Sequence, residues 1–157
     1  MIGDNLKVTY YMKEALKEAR KAFDKDEVPV GAVIVFENRI IARAHNQVEV
    51  LRDPTAHAEM IAITQAASTL GSKWLIGASI YVTIEPCSMC AGALVLARVK
   101  EIVYAAADPK TGACGSVFNI AANEKLNHRI RLKKGVLEEE SSALLKEFFK
   151  KKRSERN

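Results

Sequence analysis

Two short stretches, His57-Ala58-Glu59 and Glu85-Pro86-Cys87-Ser88-Met89-Cys90, bring together one imidazole, two thiols and a carboxylate. Three protein ligands, His57, Cys87 and Cys90, would leave the fourth position of a tetrahedral zinc ion open to water. Catalytic zinc sites keep that position open, whereas structural ones normally close it. Cys87 and Cys90, three apart at the start of a helix, can turn both sulfurs to one side, and a helix N-terminus and a bound metal each lower a thiol's pKa. Zinc brings the pKa of a bound water to ~7. Glu59, two residues beyond His57, is then close enough to move a proton from that water to a substrate without being a ligand. Taken singly, each part has a plainer reading: a Cys-x-x-Cys can be redox-active, and one histidine in a helix is commonly packed or on the surface. The combination is far more specific.

The elements around these stretches are legible from hydrophobic periodicity. Residues 8–24 place Val8, Tyr11, Met12, Ala15, Leu16, Ala19, Ala22 and Phe23 on one helical face, with Lys13, Glu14, Lys17, Glu18, Arg20 and Lys21 mostly opposite. Val28–Phe36 and Arg39–Ala44 are β-rich runs about the polar pair Glu37-Asn38, the pattern of a hairpin. Gly31 inside the first run marks a bulge or a close backbone approach. Thr55 is the expected N-cap of a helix running to about Leu70, with His57 and Glu59 in its first turn. Residues 79–84 are a buried type of strand, and Pro86 opens the next helix, with Met89, Ala93, Leu94, Leu96 and Ala97 expected inward. Residues 101–107 are another strand. Within the long connection 108–128, residues 116–122 suggest one or two helical turns. A last strand is expected at Arg129–Leu132, parallel to its predecessor because the connection is long enough for a crossover. A final helix, 138–152, should turn Leu144, Leu145, Phe148 and Phe149 inward, its acidic start and basic end both suiting the helix dipole. Helices alternating with strands in this order argue for an α/β sandwich on one central sheet.

Composition narrows the class. At 157 residues, 48% hydrophobic and 27% charged, the chain is expected to form one domain, 1–157, with a core of its own. No apolar run approaches the ~20 residues that span a bilayer. The first residues lack the apolar core of a signal peptide, so a cytoplasmic location is expected. Three cysteines do not make a disulfide framework. A net charge of +5 is compatible with a polyanionic partner without identifying one.

His-x-Glu followed by Pro-Cys-x-x-Cys is the signature of the zinc-dependent nucleobase deaminases, in which the glutamate is acid/base and not ligand. Along nearly its whole length the chain resembles the bacterial tRNA adenosine deaminases of the cytidine deaminase superfamily. The resemblance is carried by Glu27–Val33, His45-Asn46, Asp53–Glu59, Tyr81–Ala93, Asp108–Gly112, Asn127-His128-Arg129 and Glu147-Phe148-Phe149. The Asp53–Glu59 and Glu85–Cys90 segments are also similar to bacterial guanine deaminases. The Lys110-Thr111-Gly112 segment, Asn127–Arg129 and the basic last helix favour the tRNA enzymes.

The resemblance implies a cytidine-deaminase-like fold, a three-layer α/β/α sandwich with a central five-stranded mixed sheet. It also implies a homodimer and conversion of the wobble adenosine of a tRNA anticodon loop to inosine. It makes His57, Cys87 and Cys90 the ligands of one Zn2+ per subunit and Glu59 the proton shuttle. Asn46 would hydrogen-bond the target nucleoside, backbone at Ala58 and Glu85 would add polar contacts, and Val30 and Ile84 would wall the base. Asp108, Lys110, Asn127, His128 and Arg129 would meet flanking nucleotides, with Lys150, Lys151, Lys152 and Arg153 contacting phosphates or simply ending a solvated helix. Cys114 stands where that family is expected to have a small residue and reads as a packed side chain. Deamination of a free base or nucleoside such as guanine or cytosine is the alternative, and a zinc protein without catalysis is a third reading that the unligated Glu59 speaks against.

Overall fold

The computed structural model describes residues 2–157. In chain order the elements are α1 (Ile2–Asp24), β1 (Gly31–Phe36), β2 (Arg39–His45), α2 (Val48–Leu51), α3 (Ala58–Leu70), β3 (Ser79–Ile84), α4 (Ser88–Leu96), β4 (Glu101–Ala106), β5 (Arg131–Lys134) and α5 (Glu138–Arg156). Five strands form one sheet in the order β2-β1-β3-β4-β5. The β1 strand is antiparallel to β2 and β3, while β3–β4 and β4–β5 are parallel, so the sheet is mixed. Glu37 and Asn38 join β1 to β2 with φ of 50° and 62°, the left-handed pair of a tight hairpin.

Alternation along the strands sorts the two cores. Ala32, Ile34, Ile80, Val82 and Ile102 face α3 and α4, while Val33, Val35, Tyr81, Val103 and Ala105 face α1. The α5 helix joins α1 on that second face: Phe148 is buried and meets the Phe23 ring at 5.9 Å, and the Ser141 hydroxyl donates to the Thr83 carbonyl at 2.5 Å. Helices on both faces of a mixed five-stranded sheet make the three-layer, cytidine-deaminase-like sandwich.

Gly31 is the close-approach position that the sequence implied. A Cβ there would run into the backbone of α1 at Ala15 and Ala19. Gly31→Ala must therefore push α1 off the sheet, and a loss of about 3 kcal/mol is expected in denaturant unfolding. An unchanged midpoint would show that α1 has slack the packing does not suggest.

Several boundaries and faces differ from expectation. Thr55 is not an N-cap: its amide and hydroxyl both bond Asp53 Oδ1, at 2.8 and 2.7 Å, and α3 starts after His57. Leu96 is 79% exposed rather than inward, and α4 buries Cys90, Ala91 and Leu94. Phe149 is 45% exposed, so the inward face of α5 rests on Leu144 and Phe148. Glu14 and Glu18 are buried instead of solvated; Glu14 pairs with Arg43 at 3.1 Å and Lys17 at 2.6 Å, and Glu18 with Lys21 at 2.6 Å. Residues 116–122 form turns and a bridge, not helix, and β5 lies two residues later than expected.

Candidate active site

Two helix N-termini meet at one end of the sheet. His57 is the N-cap residue of α3 and Cys87 that of α4; both backbones are extended there, and neither side chain caps its own helix. Instead the side chains converge. His57 Nδ1 lies 3.7 Å from Cys87 Sγ and 3.5 Å from Cys90 Sγ, and the three donor atoms all lie within 4.8 Å of one another, a group able to hold a metal ion.

Electrostatics follow from that proximity. Hydrogen bonds from the Cys90 thiol and from His57 hold the Cys87 thiol down to about 4. Cys90 is pushed well above the usual thiol range by the proton it shares with Cys87 and by burial. His57 is raised, chiefly by its hydrogen bond to Cys87. Glu59, in the first turn of α3 and 3% exposed, is raised to about 7 because burial disfavours its charge.

A cleft of about 860 Å³ opens over these groups, lined on one side by Val28, Val30 and Ile84, with His57, Glu59 and Cys87 at its base. Asn46 lines it in a fixed orientation. Its Oδ1 accepts the Ala58 amide at 2.8 Å, so its NH2 must point the other way, and the Asn46 backbone is itself anchored to the Val30 carbonyl. A second wall is α2, held by Glu27, whose carboxylate accepts the Glu49 and Val50 amides, both at 2.9 Å. Asp108 and Thr111 form a third wall, and Phe148, Phe149, Lys152 and Arg156 of α5 form the rim.

The expected site residues divide by place. Val30, Asn46, Ile84, Glu85 and Asp108 line the cleft. Ala58 is buried behind it, contributing the amide that orients Asn46. Lys110 lies in an adjoining groove of about 500 Å³ with Lys146, Lys152, Arg153 and Arg156. Asn127, His128 and Arg129 line neither space: His128 Nε2 donates to the Val99 carbonyl at 2.6 Å, and Arg129 pairs with Glu124 at 3.2 Å. In the basic run, Lys152 pairs with Asp26 across the rim at 2.5 Å, and Lys151 sits over the Phe23 ring. Cys114 is buried and its thiol is pushed up to about 12 by burial, a packed side chain as expected. Sequence reasoning missed Glu27, α2 and the exposed Phe149. The signals for Glu27 were its place at the head of the Glu27–Val33 segment and a carboxylate abutting the apolar run Val28-Pro29-Val30.

Relatives match this arrangement over most of the chain. The family model for MafB19-like deaminases matches residues 7–153. The tRNA-specific adenosine deaminase of Aquifex aeolicus is 54% identical over 92% of this chain and 95% of its own length. That of Bacillus subtilis is 51% identical over 93% and 91%. A structure solved in studies of A-to-I editing by tRNA:A34 deaminases superposes with a TM-score of 0.84 at 44% identity, covering 87% of this chain and 99% of the other. Guanine deaminase from Nitrosomonas europaea superposes at 0.78 with 25% identity, over 89% and 83%. With a complete His-x-Glu and Cys-x-x-Cys site at the base of its cleft, the chain belongs to the MafB19-like deaminases and, within them, to the family of the tRNA-specific adenosine deaminases.

Proposed function

We propose that this chain is a zinc-dependent tRNA adenosine deaminase that converts the wobble adenosine of an anticodon loop to inosine, releasing ammonia. The observation that carries the reading is the Glu59 carboxylate, buried and outside the donor set, beside three convergent ligands at the base of an open cleft. Tetrahedral zinc, with metal–sulfur near 2.3 Å and metal–nitrogen near 2.0–2.1 Å, needs sulfur and nitrogen donors about 3.6 Å apart. The separations of 3.7 and 3.5 Å fit that requirement. His57, Cys87 and Cys90 would hold the ion. When bound, zinc supplies the Lewis acidity that makes water a nucleophile near neutral pH.

The protein groups do the rest. The Asn46 NH2 donates to the nucleoside and sets its angle, while Val30 and Ile84 pack on the faces of a base taken out of its stack. Glu59 takes a proton from the attacking water and gives it to the neighbouring ring nitrogen. It then takes the proton of the hydroxyl now bonded to the ring carbon and gives it to the amine, which leaves as ammonia while the carbonyl of inosine forms. An anticodon loop suits the cleft because its bases are already splayed. Asp108 stands where a nucleotide next to the target would pass. Phosphates would find Lys110, Lys146, Arg153 and Arg156 in the adjoining groove, whereas Lys152 is committed to Asp26. Asn127 and Arg129, exposed beyond both spaces, would meet only RNA that extends past them.

No helix among the described residues is long and apolar enough to cross a membrane. Residues 1–157 acting as one domain, a homodimer and a cytoplasmic location complete the reading.

The test is to incubate zinc-loaded protein with an anticodon stem-loop carrying a wobble adenosine, beside free adenosine, guanine and cytidine. Inosine in the stem-loop alone is expected, with binding that weakens as salt is added. Turnover of free guanine without RNA would transfer the chain to the free-base deaminases, whose fold it shares.

A further inference from the structure

Directly before the ligand-bearing turn, Glu85 is 2% exposed, and its carboxylate is filled from one direction. Oε1 accepts the Asp108 amide at 3.0 Å and the Ser116 hydroxyl at 2.5 Å. Oε2 accepts the Cys114 amide at 2.9 Å and the Ser116 amide at 3.1 Å. A carboxylate has about four lone-pair sites. With four donors in place, no site is left for a proton transfer or a substrate, so this side chain is no general base. All four donors come from one segment, 108–116, which has neither helix nor strand to hold it.

The segment closes tightly over the carboxylate. A Cβ on Gly112 would run into the Glu85 carboxyl group. Gly112 bridges to Cys87, and the Ala113 amide donates to the Pro86 carbonyl at 2.9 Å. At the other end Asp108 closes its own turn, accepting the Lys110 and Thr111 amides at 3.0 and 3.2 Å and the Thr111 hydroxyl at 2.7 Å, and both Asp108 and Thr111 face the cleft. The cleft's third wall therefore stands where Glu85 gathers its amides.

We propose that the Glu85 side chain is a positioning residue: by clamping 108–116 it sets the fit of the nucleotides flanking the target base and leaves the chemical step to Glu59. The proposal rests on the deaminase reading above. In Glu85→Gln one oxygen remains to accept, while the new NH2 meets amide donors it cannot satisfy. The expected result is a rise of about tenfold or more in KM for the stem-loop, with kcat within about threefold and metal content unchanged.

Amide hydrogen exchange supplies a readout independent of turnover. Exchange at Asp108, Cys114 and Ser116 should accelerate at least about tenfold while α3 and α4 keep their protection. Gly112→Ala should give the same split, and combining it with Glu85→Gln should add little, because both release one clamp. Should Glu85→Gln not fold, Ser116→Ala, which removes a single donor from an exposed residue, is read by the same two measurements. A fall in kcat at constant KM, unaltered exchange at 108–116, or protection lost evenly over the molecule would each overturn the proposal. Failure of wild-type protein to deaminate the stem-loop would instead strike the deaminase reading, and the exchange pattern would still report on the clamp.

Discussion

Glu59→Gln is expected to keep its metal and lose deamination by about a thousandfold, measured as single-turnover inosine formation together with metal content per chain. The size follows from the ordinary contribution of a positioned acid/base, ~10²–10⁴-fold. The two readouts should separate because Glu59 lies outside the group formed by His57, Cys87 and Cys90. Glutamine keeps the shape of the side chain but cannot take the proton. Retained turnover would remove Glu59 from the proton path. The same substitution has a second consequence in metal-free protein. Burial raises Glu59 from about 4.5 to about 7, so the folded state holds its proton more tightly than the unfolded chain does. Stability from this group is complete below the unfolded value and disappears as pH rises through about 7. Glu59→Gln should therefore stabilise the metal-free protein at pH 8, by at most about 3 kcal/mol, and change little at pH 4. Equal effects at both pH values would show that the carboxylate is not desolvated.

His57→Ala is expected to lose metal and turnover together, with activity falling below about a thousandth. One imidazole removed from three ligands leaves two thiols, takes from Cys87 the His57 hydrogen bond that helps to hold it low, and leaves too few donors to retain an ion. Stability gives the cleaner measurement. A ligand that binds only the folded state stabilises it by about 2.7 kcal/mol at one hundred times its dissociation constant. Chelation should therefore lower the melting temperature of the wild type by several degrees and leave His57→Ala where it already is. A variant that is fully metallated and active would take His57 out of the ligand set.

The chemistry at the base of the cleft was legible because its information is local. His57 and Glu59, or Cys87 and Cys90, are two or three residues apart at a helix start, and the N-cap with the first turn aims them. Gly31 was legible because its close approach to α1 leaves no room for a Cβ, and the Glu37-Asn38 turn because a polar pair separates two β-rich runs. The walls are another matter. Residues 48–51 make a single helical turn, too short for a periodic signal, and what secures it is a carboxylate at Glu27, more than twenty residues earlier. Segment 116–122 looked helical by composition, but the Ser116 amide is taken by Glu85 and those of Val117 and Phe118 by the Gly112 carbonyl. Thr55 had the chemistry of an N-cap and spent it on Asp53. Leu96 and Phe149 show the limit of reading faces: an apolar residue at the edge of a helical stripe can point either way, and only the neighbouring element decides. Asn127–Arg129 carry family likeness at positions that line neither space, with His128 fixed to the Val99 carbonyl.

The sequence separation of the ligands bears on the order in which the molecule assembles. His57 lies 30 residues from Cys87 and 33 from Cys90, with all of α3 and β3 between them. These come together only once α3 has docked and β3 has taken its place between β1 and β4. Contacts of that range form late, once the entropy of closing the intervening chain has been overcome. An ion held by these three side chains would therefore be captured by a chain that is already folded. Protein freed of metal is accordingly expected to stay compact, and a radius in solution that swells on chelation would overturn that order.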